Sequence, residues 1–467
     1  MEIPSTANET TTEKILGIDL RTYQREAVVA LSQKDRFILA DEPGLGKTYP
    51  AIHAAYHATG NKPKLCVVPG YLMNQWKGAI HDYISTDEPV YVMQRRDDPI
   101  PKDFTGWVVI SYHTLMDAAI KIHRELWSIP FGVVIFDEAH RLRGRKSQWT
   151  KNAKKIKTDR IWMLTGTPMV NNPGDIWTLA NILKPADYRS YWKFVEEWCV
   201  LEYTPWTTIV KGVQPGKEDA FYQNISDMFL RRKIEDYLPE IPNVIPHFIG
   251  VDIAPAAFKA HKKALKDWYI ENPDTNEMTI ASSGGALVIK LRHLTAGTLP
   301  EAPKAPEKIN TVVDIIEDHS DQSHVVFTWF KNTAQAVVDR LATAQDAPVY
   351  LITGDMPPAQ REERIAQWKE SDRGIIVATM ASMQEGVNLQ KAHSVIFVEH
   401  HYLPGTVEQA IARCRRFGQT QPVNVYHVMA RGTVDESVWR VLYGRHSNVV
   451  KALLEDLVMT ELPRKEK

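Results

Sequence analysis

Apolar residues along this chain cluster in short unbroken runs, with polar stretches between them. In the first half the runs are Phe37–Ala40, Leu65–Val68, Trp107–Ile110, Val133–Phe136 and Ile161–Leu164. Runs of four residues with no polar break mark strands buried on both faces, the pattern of a parallel sheet covered by helices. Helical stretches separate most of them. Ala51–Thr59 is one, with Pro50 tolerable in the first helical turn. The second half repeats the layout, with strands expected at His324–Thr328, Val349–Thr353, Ile375–Ala378, Val395–Val398 and Val423–Val428. Helices are expected at Thr311–Glu317, Thr333–Ala342, Pro358–Lys369 and Gly405–Arg416. The pattern therefore predicts an α/β fold of two lobes, each a mainly parallel sheet flanked by helices. The region Asn171–Lys308 reads differently. It is helical and aromatic at first, polar and small-residue-rich around Asn272–Gly285, and proline-punctuated over Thr298–Glu307. The expected boundaries are a first lobe with its helical protrusion at 1–240, protrusion and linker at 241–306, and a second lobe at 307–467.

Two strings carry chemistry. Asp41-Glu42-Pro43-Gly44-Leu45-Gly46-Lys47-Thr48 follows the first strand run and precedes a helix. Gly44 and Gly46 let the backbone close around phosphates, with the N–H of Leu45 between them. Lys47 would reach the β- and γ-phosphates and Thr48 would hold Mg2+. The strict phosphate-loop pattern has Gly where this chain has Asp41. Asp137-Glu138-Ala139-His140 follows the run Val133–Phe136, which delivers Asp137 to the carboxyl edge of the sheet. There Asp137 can bind a magnesium-held water and Glu138 can polarise the attacking water. Together the strings predict an ATP-hydrolysing enzyme with ATP and Mg2+ as cofactors.

Composition adds limits. Formal net charge is −1 from 56 basic and 57 acidic residues, so nucleic-acid binding has to come from a local patch. One is present: from Arg141 to Arg160 the basic residues Arg141, Arg143, Arg145, Lys146, Lys151, Lys154, Lys155, Lys157 and Arg160 face only Asp159. The run directly follows the carboxylate motif, which points to contact with nucleic acid. Cys66, Cys199 and Cys414 form neither a CxxC pair nor a zinc pattern. No apolar run spans a membrane, and the N-terminus has no signal-peptide pattern. A cytoplasmic monomer is expected.

The motif order resembles helicase superfamily two. Leu20-Arg21-Thr22-Tyr23-Gln24, the loop Asp41–Thr48, Asp137–His140 and Leu164-Thr165-Gly166-Thr167-Pro168 follow one another as in that family. The loop sequence, with Asp-Glu-Ala-His-Arg-Leu at Asp137–Leu142, is similar to the Swi/Snf branch. Asn171, Leu230-Arg231-Arg232 with Leu238-Pro239, Gly386-Val387-Asn388-Leu389 and Gln409–Gln419 resemble later motifs of that branch. Glu399–Gly405 followed by Gln409 looks most like the fork-remodelling, strand-annealing subgroup.

The resemblance implies two RecA-like lobes with ATP in the cleft between them. It implies translocation along double-stranded DNA, with branched DNA as a candidate substrate. Arg413 and Arg416 would act on the γ-phosphate. Gln24, assisted by Arg21, would read the adenine edge. Ser111 lies where the family touches the phosphate backbone. His140, Thr165, Gly166, Thr167, Gly386, Asn388 and Gln409 would couple nucleotide state to DNA grip. Two departures stand out: Ser382-Met383-Gln384-Glu385 replaces a Gly-Gly in the fifth motif, and Ile411-Ala412 replaces an acidic pair in the sixth. The alternatives are a strand-separating DNA or RNA helicase and a non-catalytic nucleic-acid-binding scaffold.

Overall fold

The computed structural model describes residues 19–444, apart from 94–99, 101–102, 117–125, 127, 170–171, 204–207, 272–277, 345, 384–386, 402–403 and 417. These residues form two compact units, the first running to Tyr237 and the second from Leu238 onward, with Leu201–Lys211 grouped with the second.

The first unit is built on seven parallel strands. They are β1 (Arg36–Leu39), β2 (Lys64–Val68), β3 (Val90–Val92), β4 (Trp107–Ser111), β5 (Val133–Asp137), β6 (Ile161–Leu164) and β9 (Phe229–Leu230); the hairpin β7–β8 (Cys199–Tyr203, Thr208–Val213) stands apart. The order across the sheet is β3-β4-β2-β5-β6-β1-β9. Every residue of β2, β4, β5 and β6 is buried, which is why each reads as a continuous apolar run. Helices Thr48–Thr59 and Met73–Tyr83 cover one face through Ala51, Ala55, Trp76 and Ile80. This topology places the carboxyl ends of β1, β6 and β5 side by side on one edge, where parallel α/β sheets carry their ligands.

The second unit has a six-stranded parallel sheet: β10 (Val244–Val251), β13 (His324–Thr328), β14 (Val349–Ile352), β15 (Ile375–Thr379), β16 (Ser394–Phe397) and β17 (Val423–Ala430). Its order is β10-β17-β16-β13-β15-β14, with a buried apolar cluster on each face. The sequence expectation for 241–306 needs correction. Val244–Val251 is not protrusion or linker but an edge strand, in register with β17 over eight residues. Helices Pro255–Asp267 and Gly284–Thr295 share a core with Val434 and Val438. Between them the small hairpin β11–β12 (Tyr269–Glu271, Met278–Ile280) contributes Ile270 to that core. The expected helix Gly405–Arg416 runs Pro404–Cys414, so Arg415 and Arg416 lie past its end.

Candidate nucleotide site

The loop after β1 is shaped by its glycines. Gly44 and Gly46 have φ of 102° and 72°, in the left-handed region that a side chain disfavours. A Cβ on Gly46 would lie 2.8 Å from Nε2 of Gln24. Helix Thr48–Thr59 starts directly after Lys47, aiming its free N–H groups at the same space. The Lys47 ammonium donates to the carbonyls of Asp41 (2.7 Å) and Glu42 (3.4 Å), so it lies across the loop. Gln24 backs this loop. Its Nε2 donates to the carbonyls of Leu45 (3.2 Å) and Gly46 (3.4 Å), while its Oε1 accepts from the N–H of Arg21 (3.0 Å). The Tyr23 hydroxyl also donates to Leu45 O, at 3.2 Å.

The carboxylate pair sits at the end of β5. Asp137 is buried, its Oδ2 accepting from Nε1 of Trp76 (2.8 Å) and its Oδ1 from the N–H of Glu138 (2.9 Å). The Tyr112 hydroxyl donates to the Asp137 carbonyl at 2.8 Å. Burial, and then the neighbouring charge of Glu138, push the Asp137 carboxyl up to about 6; the Trp76 bond and the Lys47 charge resist. A buried carboxylate charge beside a half-buried one, with too little compensation, is what a divalent cation relieves. Oxygen donors from Asp137 and Thr48 suit a hard ion such as Mg2+, which commonly takes only one or two protein carboxylates. Among the described residues no cluster of three or more His, Cys, Asp or Glu is placed to hold a metal ion.

Glu138 adopts φ 51° and ψ 47°, a left-handed conformation unusual for a residue with a side chain. Its Oε2 lies 3.2 Å from Nδ1 of His140, and the same Nδ1 lies 3.2 Å from Oγ1 of Thr165. The Thr165 N–H donates to the Leu39 carbonyl (3.1 Å), and its Oγ1 accepts from the N–H of Thr167 (3.2 Å). A Cβ on Gly166 would meet Pro43 Cδ at 2.7 Å. His140, Thr165, Gly166 and Thr167 thus join the carboxylates to the phosphate loop within the first unit.

The expected nucleic-acid residues fall into two classes. Arg145 stacks over Tyr191, its guanidinium carbon 3.7 Å from the ring centre and 5.3 Å from that of Trp192. Arg141 lies 6.0 Å over the Tyr112 ring; Arg141 and Arg143 are half-buried. Lys146, Lys151, Lys154, Lys155 and Lys157 are exposed. Lys154 and Lys155 donate to Asn181 and Asn152. Ser111 is buried, and its hydroxyl is turned inward to the N–H and Oγ1 of Thr114, both at 3.0 Å. It caps the short helix Tyr112–Met116 and is not presented at the surface.

In the second unit the Leu389 N–H donates to the Arg413 carbonyl (2.9 Å), tying the end of the fifth motif to the sixth. Asn388 holds a turn through the N–H of Gln390 (3.0 Å). Gln409 is half-buried on helix Pro404–Cys414. Gly386 and Asn171 lie outside the described residues. Burial, and then the charge of Arg413, pull the Arg416 guanidinium down to about 10. No carboxylate or carbonyl among the described residues accepts from it.

Residues 23–294 match the SNF2-related domain, and residues 307–418 match the helicase conserved C-terminal domain. The chain belongs to the SNF2-related family. Similar proteins include the mouse DNA annealing helicase and endonuclease ZRANB3, 25% identical over 91% of this chain and 40% of its own length. The SWI/SNF-related matrix-associated actin-dependent regulator of chromatin subfamily A-like protein 1 of Xenopus tropicalis is 27% identical over 91% and 44%. An uncharacterized ATP-dependent helicase of Mycoplasma pneumoniae is 26% identical over 94% and 42%. The chain thus spans about two fifths of the length of these relatives. A Sulfolobus solfataricus SWI2/SNF2 ATPase core solved with double-stranded DNA aligns over 96% of both chains at 21% identity and a TM-score of 0.45.

Sequence reasoning missed three partners of this SNF2-related site. Trp76 reads as a core residue, and it is 1% exposed, yet its indole N–H is spent on Asp137. Tyr112 supports the same residue from the backbone side. Arg232 forms a two-pronged ion pair with Asp41. The sequence does carry a signal for that pair, since an aspartate in place of the loop's first glycine asks for a cationic partner.

Proposed function

We propose that this chain is a motor that hydrolyses ATP to move along double-stranded DNA, acting as a monomer and with branched DNA among its substrates. The observation that carries the reading lies in one stretch of chain. The Asp137–Glu138 pair at the sheet edge is followed within twenty residues by five exposed lysines. Chemistry on a phosphate chain and a surface for polyphosphate backbone are therefore on adjoining segments of the first unit. The SNF2-related match and the annealing-helicase name of a relative support the choice of DNA.

In this reading Lys47 leaves the carbonyls of Asp41 and Glu42 for the β- and γ-phosphates, which the loop N–H groups cradle. Glu138, aimed by its left-handed backbone and by His140, orients the attacking water. Thr48 and Asp137 would hold Mg2+, which supplies positive charge to the phosphates. Arg413 and Arg416 supply the countercharge from the second unit, so turnover depends on conformation.

Steady-state ATPase activity measured with linear duplex, single strand, RNA, forks and four-way junctions tests the proposal. Duplex should stimulate turnover and branched DNA should do so at least as well. Stimulation by single strands or RNA alone would overturn the translocase reading in favour of a strand-separating helicase.

A further inference from the structure

The strand β9 continues past its partner as a strap along the phosphate loop. The N–H groups of Ile38, Ala40 and Glu42 donate to the carbonyls of Met228 (2.8 Å), Leu230 (2.7 Å) and Arg232 (3.0 Å). The Ile234 N–H returns the bond to Oε2 of Glu42 at 3.0 Å. Both carbonyls that hold Lys47, those of Asp41 and Glu42, therefore belong to residues fastened by this strap.

The strap's side chain is Arg232. Its Nε and Nη2 donate to Oδ1 (3.0 Å) and Oδ2 (2.5 Å) of Asp41. Its Nη1 donates to the Tyr23 carbonyl and lies 3.3 Å from Oε2 of Glu26. The rings of Tyr23 and Tyr237 each lie 5.4 Å from the guanidinium carbon. Arg232 and Asp41 are 5% and 2% exposed. A glycine at position 41 would leave Arg232 without this buried carboxylate, so the departure from the strict loop pattern and the strap belong together. Six residues after Arg232, at Leu238, the chain passes into the second unit.

We propose that Arg232 is a positioning residue for the nucleotide site, which sets the pose of Lys47 through Asp41 and ties the phosphate loop to the junction of the two units. The inference rests on the ATP-site reading above. Arg232 touches no phosphate itself; it fixes the carbonyls that Lys47 exchanges for phosphate oxygens.

The test uses the full chain with Arg232→Lys, Asp41→Asn and the double variant. ATP turnover against ATP concentration, equilibrium binding of a fluorescent N-methylanthraniloyl ADP and thermal unfolding are measured together. Displacing the loop should raise the KM for ATP and the Kd for the ADP probe by about tenfold in each single variant, with a smaller change in kcat. The double variant should be no worse than the poorer single, because the same ion pair is broken in all three. Wild-type nucleotide affinity in folded Arg232→Lys would make the pair purely structural and overturn the inference. Where that variant does not fold, near-isosteric Asp41→Asn decides in the same way. Should both fail, the charge-free pair Asp41→Gly with Arg232→Met decides, wild-type probe affinity again overturning it. Lys47→Ala separates the two readings. Normal turnover in Lys47→Ala discards the ATP site itself; a dead Lys47→Ala beside wild-type affinity in the pair variants discards only the role of Arg232.

Discussion

Asp137 meets three demands with one side chain: it is buried, it neighbours another carboxylate, and it accepts from an indole that only a folded core could bring there. The next residue departs from ordinary geometry instead. A non-glycine in the left-handed region costs on the order of 1 kcal/mol, and such strain is characteristic of functional positions. In this conformation the Glu138 carboxylate lies 3.2 Å from Nδ1 of His140, which in turn meets Oγ1 of Thr165. Glu138→Gln keeps size and conformation and removes the water-orienting charge. ATP binding should persist in equilibrium titration, and single-turnover hydrolysis should fall by roughly 10²–10⁴. Loss of ATP binding instead would make Glu138 a support of the loop rather than a participant in the chemistry. Residue types and spacing made these positions legible. Trp76 was not legible as a site residue, and Arg232 stood out only as part of a later motif, because their partners Asp137 and Asp41 lie 61 and 191 positions away.

At the scale of elements, what reads from sequence is what burial dictates. Strands β2, β4, β5, β6, β13 and β15 are buried at every residue, so their runs are continuous and stand out. β10 has Pro246 and Gly250 and exposes Ile245 and Phe248, because it is an edge strand with one neighbour; nothing in its local pattern separates it from a linker. The basic run shows a second limit: charge counting treats all its cations alike, while packing turns Arg145 onto two aromatic rings and leaves the lysines in solvent. Replacing Lys146, Lys151 and Lys157 by Gln should therefore weaken duplex binding equally for all sequences. The log–log salt dependence should flatten by about 0.9 for each DNA phosphate that no longer meets a lysine. An unchanged slope in fluorescence anisotropy would return these lysines to ordinary solvated surface. The second unit carries its own titration. His261 (Nε2 accepting from the Val434 N–H at 3.1 Å), His324 and His427 are pushed down to about 4 chiefly by burial. His400, 2.8 Å from His427, is likewise held well below the usual histidine range by burial and then by the charge of His427. A histidine held neutral stabilises fully above its unfolded pKa of about 6.5 and loses that contribution as pH falls toward the folded value, at about 1.4 kcal/mol per pH unit for each group. Thermal unfolding followed from pH 7 to 4 should show a steep acid loss. His261→Gln, which keeps an acceptor for Val434, should flatten it by one group's share; an identical acid limb would mean that His261 protonates freely in the folded chain.

In the proposed mechanism the chemistry is divided between two units of similar construction. The first supplies the loop, the lysine and the carboxylates from one sheet edge. The second carries Arg413 and Arg416 where helix Pro404–Cys414 ends, the pair proposed to act on the γ-phosphate. A guanidinium drawn down to about 10 by burial beside Arg413, and donating to no carboxylate or carbonyl among the described residues, is suited to an anion that arrives from elsewhere. Arg416→Ala should therefore separate binding from turnover. Most phosphate contacts in the proposed mechanism lie in the first unit, so ATP affinity should fall modestly. Duplex affinity should hold, because the exposed lysines proposed to meet DNA are in the first unit as well. Hydrolysis should drop by about 10³ or more, the effect expected when a countercharge to the transferring phosphoryl group is removed. Arg415 is the internal control: its Nε donates to the Pro242 carbonyl at 3.1 Å, so it is engaged within the second unit. Arg415→Ala should lower thermal stability slightly and leave turnover per folded molecule intact. If Arg415→Ala is the inactive variant and Arg416→Ala the active one, the sixth motif is read one residue out of register. If both hydrolyse ATP normally with duplex present, the second unit lends no charge through either arginine, and the two-unit mechanism fails for this chain.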